Sequence, residues 1–166
     1  MQNGNLMPRR LPREDPLSPG EREAYERDLI SFCDRELDLL GDIHGLDVLY
    51  AGGSSPLWLE GLSQRIGRTG TLVALEADTE LVEEGRELLR EADLAAPVRI
   101  FAGDVFHPSF ERNTFDLAYS AGLFHELDVC ERSAKDALVA LAPVVRTGGR
   151  VATSDFVNYV PAVQLE

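Results

Sequence analysis

A run of small residues and two acids in this chain could do chemistry together. Gly52-Gly53-Ser54-Ser55-Pro56 follows the apolar stretch Val48-Leu49-Tyr50-Ala51, and Glu76 and Asp104 each follow another apolar stretch. A small-residue turn at the carboxyl end of a strand lets a ligand lie against bare backbone, and the helix after it presents N–H groups. An acid ending the next strand, at the distance Glu76 has from the turn, is placed to meet ribose hydroxyls. Asp104 follows a third strand and Ser120-Ala121-Gly122 a fourth. Together they imply a site for a cofactor that contains adenosine.

Other residues invite a role and have a plainer one beside it. His125 in a loop and Asp155 at the end of the last strand are the candidates for catalysis, as base and as substrate contact, though a loop histidine is more often structural. Tyr25 and Phe32 read as core residues of a first helix, with Tyr25 an alternative cover for the cofactor. Trp58 reads as packing under a neighbouring loop. His44 and His107 have no partner at ligand spacing, and Cys33 and Cys130 form no redox or metal pattern, so no metal is assigned and both thiols are taken as reduced.

These residues need a frame to hold them. Ser18-Pro19-Gly20-Glu21 is a helix start with a capping box, and Tyr25, Leu29, Phe32, Cys33, Leu37 and Leu40 recur at helical spacing up to Gly41. Strands are predicted at 46–50, 71–75, 98–102, 115–120 and 150–156, with helices at 57–66, 79–92 and 128–142. Gly148-Gly149 is read as the turn into the last strand, and 108–113 as a loop. Strand and helix alternating at crossover spacing imply an α/β parallel sheet covered on both faces.

At this point the sequence resembles class I S-adenosylmethionine-dependent methyltransferases. Val48–Pro56 resembles that family's glycine-rich first motif, and Val73-Ala74-Leu75-Glu76 its second-strand motif. Gly103-Asp104-Val105 is similar to its third motif. Phe115–Ser120 with Leu123-Phe124-His125-Glu126-Leu127 is similar to its fourth strand and following loop. Leu141-Ala142-Pro143 and Gly148-Gly149-Arg150-Val151 are similar to its turn into the fifth strand. The resemblance implies a doubly wound, Rossmann-like sheet of order 3-2-1-4-5, with the cofactor S-adenosylmethionine held by Gly52, Gly53, Ser54, Glu76, Ala77, Asp104, Val105 and Ser120. It gives Glu76 to both ribose hydroxyls and Asp104 to the adenine amino group.

Three features depart from the family pattern. Tyr50 stands where an acid is expected, and Ser54 and Pro56 stand where glycines are. Ser54 is the one expected to crowd the methionine part of the cofactor. Members also continue past the fifth strand into a hairpin, whereas this sequence ends at Glu166, so the hairpin is expected to be missing and the fifth strand to be a bare sheet edge.

The implied function is methyl transfer to a small-molecule or protein acceptor. The alternative is a non-catalytic scaffold or partner subunit of the same fold, with a homo-oligomer or partner chain covering the bare edge. A nicotinamide dehydrogenase fits less well, because Gly52, Ser54 and Leu57 supply its three-glycine fingerprint only once.

Bulk properties bound these readings. The 166 residues, 44% hydrophobic, suffice for one domain. A net charge of −13 with Lys135 as the single lysine argues against binding a phosphate backbone. No apolar run approaches the roughly 18 residues of a membrane span. Residues 1–17, polar and rich in Pro and Arg, are read as a disordered arm before a cofactor-binding domain at 18–166, and the protein as cytoplasmic.

Overall fold

The computed structural model describes residues 18–129 and 132–155. The expectations placed on 1–17, on Cys130 and on Phe156 fall outside those residues. In chain order the elements are α1 (Pro19–Asp38), β1 (Asp47–Ala51), α2 (Pro56–Ile66), β2 (Thr71–Glu76), α3 (Thr79–Leu88) and β3 (Val98–Ala102). They continue with β4 (Phe115–Ala121), α4 (Leu123–Val129), α5 (Ala134–Leu141), a 3-10 turn (Ala142–Val144) and β5 (Val145–Ser154). The strands form one parallel sheet in the order β3-β2-β1-β4-β5, as the sequence implied, with β3 and β5 at its edges.

Alternation along the strands divides the core in two, because successive side chains of a strand point to opposite faces. Val48 and Tyr50, Leu72 and Ala74, and Leu117 and Tyr119 share one core with Cys33 and Leu37 of α1, Leu59 and Leu62 of α2 and Val82 of α3. Leu49, Ala51, Leu75 and Ala118 face the other, with Leu127 of α4 and Ala137 and Leu141 of α5. Helices on both faces make this a doubly wound fold, whose ligand side is the carboxyl ends of the strands.

Helix α1 starts as expected: the Glu21 N–H donates to Ser18 Oγ at 3.4 Å, and the Ser18 N–H donates to the Glu21 carboxylate at 2.9 Å. Only its second half is core. Cys33 and Leu37 are buried, but Tyr25 is 53% exposed, which corrects its assignment to the core; Phe32, assigned with it, is half-buried against Trp58, and Leu29 is 40% exposed. The reason is where the helix crosses the sheet. Arg150 donates to the Leu40 carbonyl at 2.5 Å, and Ser154 Oγ donates to the Glu36 carboxylate. The helix therefore runs antiparallel to β5 and reaches the strand end at Glu36. The first turns of the helix, where Tyr25, Leu29 and Ile30 are exposed, run on past that strand end.

Three boundaries differ from the sequence pattern. The single helix expected at 128–142 is two, α4 and α5, because Ser133 caps a fresh start: the Asp136 N–H donates to its hydroxyl at 3.3 Å. The stretch 123–127, expected as loop, is the body of α4. Helix α3 stops at Leu88 rather than at 92, after which the chain on its way to β3 is tied to α2 by a bond from the Ala96 N–H to Ser63 Oγ at 2.9 Å. Strand β5 begins at Val145, and Gly148-Gly149 lies inside it. Phe115 pairs with Val145 and Leu117 with Arg150, so the intervening residues of β5 bulge out instead of turning into it.

Cys33 is a buried free thiol whose Sγ lies 3.9 Å from the Leu57 carbonyl; burial pushes it up to about 11. That fits a packing role rather than a reactive one.

Candidate active site

The strand register lines up the ligand-side rim. Ala51 pairs with Leu75, Glu76 with Ala102, and Ala121 with Ser154. The Gly52 and Gly53 N–H groups both donate to the Leu75 carbonyl, at 2.8 and 3.2 Å, and the Gly103 N–H donates to the Glu76 carbonyl at 2.8 Å. The Gly52 turn, Glu76 and the Gly103-Asp104 turn thus stand on neighbouring strand ends, which are about 4.8 Å apart in a sheet. The sequence reading required this gathering.

Glu76 is the most unusual group there. It is 7% exposed, and the Asp78 N–H donates to its Oε1 at 3.0 Å. Burial pushes its carboxyl above the ordinary range, outweighing the opposite effect of the Asp78 and Ala77 N–H groups. Among the described residues no arginine, lysine or histidine pairs with it. A buried carboxylate with lone pairs to spare and no cation is chemically suited to a ligand that donates neutral hydrogen bonds, as a diol does.

Asp104 is more committed. Its Oδ1 accepts the Phe106 N–H at 2.9 Å, Arg132 donates to Oδ2 at 3.1 Å, and His107 Nδ1 lies 3.6 Å from Oδ2. Burial alone would raise this carboxyl, but the Phe106 N–H, Arg132 and His107 together hold it below the ordinary range. The Arg132 guanidinium also lies 3.7 Å above the Phe106 ring. The sequence gives no hint of Arg132, which is remote in the chain and was not singled out.

The two glycines have partners inside the protein. Gly52 has φ +83°, and a Cβ there would lie 2.5 Å from Leu123 Cδ1. A Cβ on Gly53 would lie 2.9 Å from the Tyr50 ring. The Cβ sides of both are filled by the chain's own side chains, so a larger residue at either must displace Leu123 or Tyr50, and at Gly52 it must also take up a positive φ. Leu123 was missed as a site residue because its contact with Gly52 crosses from β4 to β1.

The remaining candidates fall as follows. Ser120 is buried, and its hydroxyl is 3.1 Å from Thr153 Oγ1 on β5. Val105 is in the second core, and Ala77 is exposed beside Glu76. His125 and Asp155, singled out separately in the sequence, are neighbours: His125 Nδ1 is 2.7 Å from Asp155 Oδ1. Trp58 lies in an aromatic cluster with Phe32, Tyr50 and Tyr119, ring centroids about 6 Å apart. A groove of about 490 Å³ bordered by Asp47, Thr71, Phe110, Thr114 and Arg146 is at the opposite rim, away from these groups.

A family model described as a methyltransferase domain matches residues 48–149, the span that carries this rim. The chain belongs to that methyltransferase family. It is similar, at 33% identity over 129 residues, to the ubiquinone/menaquinone biosynthesis C-methyltransferase UbiE of Idiomarina loihiensis, covering 76% of this chain and 49% of that protein. The chain thus spans about half the length of the curated relatives it matches. Two solved structures share its fold. A SAM-dependent methyltransferase from Aquifex aeolicus matches with TM-score 0.65 and 23% identity, over 78% of this chain and 68% of that one. Phosphoethanolamine N-methyltransferase 1 of Haemonchus contortus, in complex with phosphoethanolamine and S-adenosylhomocysteine, matches with TM-score 0.63 and 16% identity, over 80% of this chain and 27% of that one.

The family's cofactor is S-adenosylmethionine, and the residues that depart from its first motif have partners inside the fold. Ser54 does not crowd the turn from above: its hydroxyl donates to the Leu81 carbonyl of α3 at 3.1 Å, and the residue is 7% exposed. Tyr50 is tucked beneath the turn against Gly53 and stacked on Trp58 at 6.4 Å. Burial, with Tyr119, Cys33 and Glu76 nearby, pushes its phenol far up, so it is neutral at any working pH. The chain therefore brings one buried carboxyl group, Glu76, to the described part of the rim, where the family pattern has two acids.

Proposed function

We propose that this chain transfers a methyl group from S-adenosylmethionine to a small-molecule acceptor bearing a hydroxylated aromatic ring of the quinol kind. The observation that carries the cofactor half is buried Glu76 beside the Gly52 turn, with no cation paired to it among the described residues. The acceptor half takes its support from the relatives named as C-methyltransferases of ubiquinone and menaquinone biosynthesis.

When bound, S-adenosylmethionine supplies a methyl group already activated by its sulfonium charge. The protein's part is to bind, orient and keep water out. Glu76 accepts from the ribose hydroxyls, and Asp104 offers Oδ2, which Arg132 now holds, to the adenine edge. Leu123 walls the site over Gly52, and neutral Tyr50 gives the turn an apolar floor. Holding two reactants in line can remove as much as roughly 7–11 kcal/mol of barrier, so no further group is needed for an acceptor that is already a nucleophile.

The scaffold alternative is not favoured: the part of its motive that rested on Ser54 and Tyr50 goes, since neither obstructs the turn, and the edge position of β5 is what remains of it. Calorimetry with S-adenosylmethionine and S-adenosylhomocysteine tests the cofactor half. Methyl transfer from labelled S-adenosylmethionine to 1,4-dihydroxynaphthalene, a quinol with open ring carbons beside its hydroxyls, tests the acceptor half. Micromolar cofactor binding with label in the naphthalene ring is the expected result; a chain that binds neither cofactor form is not a methyltransferase.

A further inference from the structure

At the β4–β5 end of the rim, two side chains are joined in a way that cofactor anchoring does not require. Asp155, directly after β5, accepts the Phe124 N–H at 2.6 Å and the His125 N–H at 3.4 Å through Oδ2, while its Oδ1 lies 2.7 Å from His125 Nδ1. A carboxylate has only lone pairs to offer, so Nδ1 carries a proton and donates it. Nε2 lies 3.1 Å from Glu126 Oε1, and the same rule puts a proton between those two atoms. With Glu126 displaced and that proton carried off on it, Nε2 is left as an acceptor. The imidazole therefore sits between two acids, Asp155 at the end of β5 and Glu126 on its own helix, and from α1 Glu36 accepts from neighbouring Ser154.

The place is as informative as the pairing. Leu123, at the start of α4, covers Gly52, and His125 is in the same helical turn, its Cε1 3.4 Å from where a Cβ on Gly122 would be. Gly122 is itself pinned to β5, its N–H donating to the Ser154 carbonyl at 2.8 Å. The ring is thus one side chain away from the Gly52 turn, on the side opposite Glu76 and Asp104. The adenosine anchors occupy the β2–β3 end of the rim, which leaves the β4–β5 end for the acceptor.

We propose that His125, oriented by Asp155, is the general base that takes a hydroxyl proton from the methyl acceptor, and that the acceptor is a phenol or quinol that must ionise to react. This rests on the methyl-transfer reading above. The acceptor hydroxyl takes Glu126's place at Nε2 and gives up its proton there. Its electron pair moves through the ring, and the ring carbon forms its bond to the methyl carbon as the carbon–sulfur pair returns to sulfur. The ring C–H proton then shifts to the oxygen, restoring the aromatic hydroxyl. The net proton rests on Nε2, where Asp155 stabilises the imidazolium until Glu126 returns and passes the proton to solvent. General-base catalysis of this kind contributes about 10²–10⁴-fold.

Two measurements on the full chain test this. With 1,4-dihydroxynaphthalene as acceptor, His125→Gln should lower kcat about 100-fold or more while KM for the acceptor and the affinity for S-adenosylhomocysteine stay within about twofold. Glutamine keeps a donor for Asp155, so a merely structural histidine would lose little, and added imidazole should restore part of the rate to His125→Ala. An unchanged kcat in His125→Gln would overturn the proposal. Nitrogen-15 NMR of the chain with S-adenosylhomocysteine bound needs no acceptor. In Glu126→Gln, whose amide can donate to Nε2, it should show the His125 ring protonated at Nδ1, with the proton moving to Nε2 when Asp155→Asn is added. A ring protonated at Nε2 in Glu126→Gln overturns the base assignment even if the naphthalene probe is never methylated, whereas failure of the probe with the expected tautomer counts against the quinol acceptor alone.

Discussion

The side chain of Leu123 occupies the space that a Cβ on Gly52 would need, with Cδ1 2.5 Å from that position. This contact joins the first strand's turn to the helix that follows the fourth strand, so the two halves of the rim are fitted to each other before any ligand arrives. Gly52→Ala must push Leu123 aside and also hold an alanine at φ +83°, which costs about 1–2 kcal/mol in itself. We expect a loss of about 1–3 kcal/mol of stability in chemical denaturation. Because the clash is with one flexible side chain, Leu123→Ala in the same chain should recover part of it. Strict additivity of the two substitutions would show that the contact carries no energy.

Glu76 sets stability against function. Its folded-state carboxyl is raised by burial, so between the unfolded and folded values the folded protein binds more protons than the unfolded chain. Stability therefore falls as pH rises through that window, and the penalty persists at neutral pH. Glu76→Gln removes the penalty and keeps the shape. The variant should melt at or above the parent's temperature at pH 7 but bind S-adenosylmethionine about 2–3 kcal/mol more weakly, the loss of charged hydrogen bonds to hydroxyls. A variant that is both less stable and equally tight would mean that Glu76 is a structural acid.

Much of this was legible in the sequence, for a physical reason. Val48, Leu72 and Leu117 lie in apolar runs that need only neighbouring residues to be read, so the strands could be anticipated, while their order came from the family resemblance. The capping box at Ser18 and Glu21 is likewise local. What could not be read depends on distant partners. Helix α4 is capped by Asp155, about thirty residues ahead, so 123–127 looked like loop. Tyr25 has helical spacing to Phe32, yet it is exposed because Glu36 meets Ser154 at the strand end. The Gly148-Gly149 pair resembled a turn, and only its pairing with β4 makes it a bulge. The His125–Asp155 pair was visible as two candidates but not as one unit, since nothing local says that β4 and β5 are neighbours.

Ser54 separates two accounts of the first motif. If its side chain obstructed the methionine end of the cofactor, Ser54→Gly would tighten binding. The bond from its hydroxyl to the Leu81 carbonyl says otherwise. We expect Ser54→Ala to cost about 1 kcal/mol of stability, the worth of one neutral hydrogen bond. Affinity for S-adenosylhomocysteine should stay unchanged in both variants by calorimetry. Tighter binding in Ser54→Gly would restore the crowding account.

Asp104 and Arg132 give the sharpest test of the adenine end. The folded carboxyl of Asp104 is lowered, so its contribution to stability is present above the ordinary carboxylate range and is lost as pH falls through the folded value, below about 4. Arg132→Ala removes Arg132's share of that contribution, leaving those of the Phe106 N–H and His107, and the contact with the Phe106 ring; both groups are partly exposed, so less than about 1 kcal/mol should be lost. The effect on ligand should run the other way. Arg132 competes for Oδ2, so its removal frees that oxygen for an adenine amino group, and affinity for S-adenosylhomocysteine should hold or improve. Asp104→Asn, which turns an acceptor into a mixed donor and acceptor, should weaken it severalfold. Equal affinity across parent, Arg132→Ala and Asp104→Asn would leave Asp104 as the acid of a tight turn, with Glu76 the sole anchor of the adenosyl group.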